Sequence, residues 1–196
     1  MKTVIRYAIV GVIAASLILG YYFYLTRHTG SSSEEATETA QTTELSKVIT
    51  KDFSRDYPAT PREVIKWYNR IIKLYYDPGT SSDDLTILTR QAQMLFDDSL
   101  TDYNPIEAYE AAVRLDVNNY ETRGRYIVST DVCDTNDIIY KKVKGEEIAY
   151  VVAYYFVKDG SSYNSTYQKY ALRQDEDENW KILGFEMCDA DGDLIR

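Results

Sequence analysis

Carboxylates and phenols are the reactive side chains this sequence holds in quantity: 31 Asp and Glu and 19 Tyr, against two Cys and one His. The single histidine, His28, lies at the end of an apolar run, ahead of the segments that read as a folded domain. A histidine dyad, triad or metal cluster inside a folded domain is therefore excluded. The remaining acid–base chemistry is a carboxylate whose pKa is raised by burial, with tyrosine hydroxyls as donors. Asp131 and Asp134 flank Cys133 on a predicted strand. Alternation puts Asp131 and Cys133 on one face and Asp134 on the other. One inward carboxylate there is a candidate base; the alternative is a pair of surface or strand-end acids.

Two acidic groups invite a cation. Asp189-Ala190-Asp191-Gly192-Asp193 resembles the opening of a calcium loop, but its Gly comes fourth rather than sixth and no Glu stands at position twelve. A solvated acidic tail or a weak surface cation site are the readings. Asp175–Glu178 places four carboxylates in a turn, which suits a charged hairpin tip. Cys133 and Cys188 lack the CxxC spacing of a redox or zinc site. They are either a disulfide or two separate buried thiols. No metal and no cofactor is expected.

Trp67 and Tyr68 on a predicted helix, and Tyr150, Tyr154 and Phe156 on one face of a predicted strand, are the candidate pocket or partner surface. The other face of that strand is Val151, Ala153, Tyr155 and Val157, also apolar, so the strand is expected to be central.

The elements that would position these residues follow from periodicity. Thr60-Pro61-Arg62-Glu63 supplies an N-cap, a proline at N1 and a glutamate at N3. Val64, Trp67, Tyr68, Ile71, Ile72 and Tyr75 then recur at helical spacing up to Asp77-Pro78-Gly79. A second helix follows Ser82. A third opens at Asn104-Pro105-Ile106-Glu107 and runs to about Val117, with Asn118-Asn119 as its stop. From Tyr120 the period changes to two. Arg125–Cys133, Ile138–Val143, Glu147–Val157, Thr166–Gln174 and Trp180–Met187 read as strands separated by polar turns. Three helices and then an antiparallel meander is an α+β order.

Two segments precede this domain. Tyr7–Leu25 is a 19-residue run without charge, bounded by Lys2 and Arg6 before and Arg27 and His28 after. As a helix it would be about 28 Å long, matching a bilayer core. Its bulky aromatic end, Tyr21-Tyr22-Phe23-Tyr24, suits a membrane interface rather than a signal-peptide cleavage site. A single-pass anchor is expected, with the N-terminus cytoplasmic and the rest extracytoplasmic. Thr29–Ser46 holds four Glu and no Lys or Arg, and reads as a flexible tether. Residues 47–196 form the domain. The net charge of −9 argues against nucleic acid as a partner.

A first long helix, shorter helices and then long antiparallel strands resemble the cone of the nuclear-transport-factor-2-like superfamily, which includes SnoaL-like domains. The segment Asp52–Val64 also resembles the opening of an uncharacterised family of bacterial single-pass membrane proteins. The resemblance implies a curved sheet covered by helices. It implies no catalytic residues, because no motif of the superfamily's enzymes aligns here. The expected function is a membrane-tethered binding or scaffold module of the bacterial envelope. Its partners would be the bilayer through Tyr7–Leu25 and an envelope protein or a second copy. The alternative is an isomerase- or dehydratase-like enzyme with an Asp base and Tyr donors in the cone.

Overall fold

The computed structural model describes residues 44–195. A helical segment over 44–49 comes first, with Val48 buried and Glu44 accepting a 2.6 Å bond from Arg70. The expected domain start at 47 thus lies inside an ordered element.

Helix α1, Pro61–Tyr75, begins as its sequence dictates: Thr60 is the N-cap and its hydroxyl accepts from the Glu63 amide. Helix α2 is Ser82–Gln93, capped by Ser81. A short helix α3, Asp98–Tyr103, is capped by Asp97. Helix α4, Ile106–Thr122, has Pro105 at the cap position and no side-chain cap. Asn104 turns back instead and donates to the Leu100 carbonyl of α3 at 3.0 Å. The helix runs through Asn118-Asn119 because Tyr120 is drawn into the core, where it stacks on Tyr76 with ring centroids 4.1 Å apart.

Five strands form one antiparallel sheet: β1 Arg125–Val132, β2 Ile139–Val143, β3 Glu146–Asp159, β4 Ser162–Gln174 and β5 Trp180–Cys188. The order is β1-β3-β4-β5, with β2 also on β3. This departs from a simple meander. At 14 residues β3 is long enough for two partners on one edge. β2 takes Glu146–Tyr150 and β1 takes Ala153–Asp159. The β2–β3 hairpin closes through Lys144 and Gly145, both with positive φ, the geometry a two-residue turn between right-twisted strands requires. Bulges between Ile127 and Ser129 in β1, and opposite Ala171 in β5, bend the sheet.

The inner face of the sheet carries Val151, Ala153, Tyr155, Val157, Tyr170 and Leu172, all nearly fully buried beneath the helices. Arg62 of α1 fastens that cover by donating to the carbonyls of Val132 and Cys133. At the far end Arg173 of β4 forks onto both oxygens of Asp97, at 3.0 and 2.8 Å.

The expected fold needs correction at its start. Among the described residues no helix is long and apolar enough to cross a membrane. The longest of the helices, α4, carries the charged residues Glu107, Glu110, Arg114, Asp116 and Glu121. The described fold is α+β with no spanning element among the described residues, and four named helices accompany the sheet rather than three. The run Tyr7–Leu25 and the tether up to residue 43 lie outside the described residues.

Candidate functional site

The polar side chains of the interior meet between α1, α4 and the inner face of the sheet, around a cavity of about 60 Å³. Helical spacing aims them there. On α1, Tyr68, Ile72 and Tyr75 stand at i, i+4 and i+7. On α4, Tyr109, Val113 and Tyr120 stand at i, i+4 and i+11, and Asp116 at i+7 falls within that stripe. The sheet contributes Ile127, Tyr155, Val157, Gln168, Tyr170 and Phe185.

Burial pushes the phenols of Tyr68, Tyr75, Tyr109, Tyr155 and Tyr170 well above the usual tyrosine value. They are neutral O–H donors throughout the physiological range. Most of their protons have acceptors. Tyr109 Oη lies 3.3 Å from Tyr75 Oη, which donates to the Leu88 carbonyl. Tyr155 Oη lies 2.6 Å from the Asn69 side chain and 2.7 Å from Tyr170 Oη, which lies 2.6 Å from the Gln168 side chain. Two hydroxyl protons cannot serve three contacts, so one terminal amide must donate. The Asn69 amide nitrogen is buried without a partner. Turned toward Tyr155, it completes a continuous chain in which Asn69 donates to Tyr155, Tyr155 to Tyr170 and Tyr170 to Gln168.

Tyr120 differs. Its hydroxyl is buried and has no hydrogen-bond partner among the described residues. Beside it, Tyr76 donates to Asp116 Oδ2 at 2.6 Å. Asp116 is only 5% exposed, and burial pushes its carboxyl up to about 6; the Tyr76 bond and the Arg125 charge pull back downward. Arg125 is itself committed: Nε and Nη2 each donate at 2.7 Å to the two oxygens of Asp159. Chemically this corner is a carboxylate of near-neutral pKa with one phenol bound to it and a second, unbound phenol next to it.

The residues expected from sequence to form one surface are distributed over separate places. Tyr68 lines the cavity. Trp67, one residue earlier and so about 100° around the helix, faces away. It packs edge-on against Phe53 at 5.6 Å, with the Arg70 guanidinium 3.9 Å over its ring. Tyr150, Tyr154 and Phe156 are half-buried on the outer face of β3. There Tyr154 meets Tyr167 at 5.3 Å, and Phe156 stacks on Tyr163 at 5.3 Å. The cysteines are both free thiols. Cys133 continues β1 opposite Val152, and Cys188 ends β5 opposite Tyr167. They stand three strand spacings apart, about 14 Å, beyond the reach of a disulfide.

The acidic loops spend their carboxylates on their own backbones. Asp189 Oδ1 accepts from the amides of Asp191 and Asp193, and Asp175 Oδ1 from those of Asp177 and Asn179. Gly192 has φ +81°, and a Cβ there would meet Val152 at 3.1 Å, so the loop lies tightly on the outer face of the sheet. Among the described residues no group of three or more His, Cys, Asp or Glu could hold a metal ion.

Sequence reasoning passed over Asp116, Tyr120 and Gln168, and set Tyr155 on the strand face opposite the candidate surface. The available signal was an acid within the apolar stripe Tyr109, Val113, Tyr120, hidden because the third helix was ended at Val117. A comparison with curated proteins finds no match. The model of the family described as Domain of unknown function (DUF6715) matches residues 1–185, and the chain belongs to that family.

Proposed function

We propose that the domain is a non-enzymatic binding module of the cell envelope, positioned outside the cytoplasm by the apolar run Tyr7–Leu25. The observation that carries this reading is how little space the interior leaves. A cavity of about 60 Å³ holds only a few water-sized bodies, where a substrate-sized pocket is several-fold larger. The phenols around it are mostly tied to one another, which suits a rigid receiving surface rather than a chamber in which groups move during turnover. The localisation rests on the charge pattern of the sequence, with Lys2 and Arg6 ahead of the uncharged run.

A second reading is favoured by one specific observation. Asp116, with its pKa near 6 and Tyr76 at 2.6 Å, has the composition of a general base with a phenol partner. That arrangement supports a proton-abstracting enzyme of the isomerase type. The two readings separate in deuterated water. Small ketones incubated with the chain keep their α-protons at the uncatalysed rate if the domain only binds. Accelerated exchange that disappears in Asp116→Asn would establish the enzyme and end the binding reading.

A further inference from the structure

We infer that the tyrosine-lined cavity receives a small uncharged group carrying an oxygen acceptor, an amide or ketone end group, and that the Tyr120 hydroxyl is the donor that holds it. This names the ligand of the binding module proposed above and rests on that reading.

Size sets the first limit. About 60 Å³ corresponds to roughly four to six water-sized bodies, so a group of that many non-hydrogen atoms fits and a ring system does not. Hydrogen bonding sets the second. Tyr120 is 1% exposed and lines the cavity, yet its hydroxyl has no partner among the described residues. A buried donor without an acceptor is costly, and an entering carbonyl oxygen removes that cost. The competing phenols are occupied: Tyr68 bonds to Tyr109, Tyr109 and Tyr75 relay to the Leu88 carbonyl, Tyr76 donates to Asp116, and Tyr155 and Tyr170 lie in the chain between Asn69 and Gln168. Charge sets the third. No Lys or Arg lines the cavity. The charges that act on Tyr120 are those of Asp116, Arg125 and Asp159, and the Arg125 guanidinium is forked onto Asp159. An anion would lose its hydration, find no cation and face Asp116; a neutral acceptor escapes all three penalties. Ile127, Val157 and Phe185 then cover the apolar end of the group.

Acetamide and acetate test this, because they share size and shape and differ in charge. The full chain is titrated with each near neutral pH while NMR follows the tyrosine rings. Acetamide should produce saturable shifts at Tyr120 and its cavity neighbours, in the millimolar range expected for so few atoms, and acetate none. Tyr120→Phe keeps the ring and deletes only an unpaired hydroxyl, so it should fold normally and bind acetamide at least ten-fold more weakly. Val113→Phe, which fills the cavity from α4, should abolish the shifts. Equal binding of acetate, full acetamide binding by Tyr120→Phe, or an unsaturable response showing a cavity filled by water alone would each overturn the inference. The deuterium-exchange experiment separates the two proposals. Saturable acetamide binding together with enzymatic exchange keeps the site and removes the non-enzymatic reading. Neither binding nor exchange removes the site and leaves the module to bind elsewhere.

Discussion

The two faces of the sheet use the same residue type for different ends. On the inner face Tyr155 and Tyr170 are 2% and 0% exposed, and every contact of their hydroxyls is to another buried polar group. On the outer face Tyr154 and Tyr167 pair ring to ring, and the Tyr154 hydroxyl meets only the exposed Ser165 at 3.1 Å. Inside, the phenol oxygen organises the site; outside, the ring supplies area and the oxygen faces water. A tyrosine count therefore says little until the face is known.

Six substitutions, two of them outer-face controls, bear on this contrast, in falling order of effect. Tyr170→Ala should cost about 3–5 kcal/mol in urea unfolding, through a cavity and a broken chain, while its outer neighbour Tyr167→Ala should cost about 1 kcal/mol or less. Similar losses at both positions would erase the distinction.

Asp116→Asn comes next and depends on pH. Its carboxyl rises from 3.8 to about 6 on folding, so the folded state favours the protonated form. The associated stability is fully present below about pH 4 and is lost as pH rises through about 6. Near neutral pH the wild type then carries a penalty of up to about 3 kcal/mol. Asp116→Asn, which still accepts from Tyr76 through its amide oxygen, should be the more stable protein there and gain nothing at about pH 4. Unfolding midpoints across that range check the sign.

Tyr155→Phe should cost about 1–3 kcal/mol by stranding Asn69 and Tyr170, against about 0.5 kcal/mol or less for Tyr154→Phe outside. Smallest of the interior changes, Tyr120→Phe should raise stability by up to about 1 kcal/mol, because it removes a buried hydroxyl that has no partner. A large loss there would reveal a bond that the geometry does not contain.

Much of the fold was legible because turn chemistry and alternation are local. The capping residues of α1 and the turns at Lys144-Gly145 and Gly160-Ser161 set the boundaries of their elements within a few residues. Helix α4 was cut short because Asn118-Asn119 is a sound local stop, overridden when Tyr120 packs on Tyr76. The β1–β3 pairing was hidden because it depends on the length of β3, which offers one edge to two strands. The site was less legible for a related reason. With Tyr150, Tyr154 and Phe156 on one face of β3 and Val151, Tyr155 and Val157 on the other, periodicity assigns residues to faces but not helices to a face. The more aromatic face lies outward, and the helices cover the other.

The central claim is that the inner face is the built site. The most direct measurement is the tyrosine ring spectrum of the full chain during an acetamide titration. Saturable shifts at Tyr68, Tyr109 and Tyr120 with Tyr154, Tyr163 and Tyr167 unmoved are expected; shifts confined to the outer three would contradict a site on the inner face.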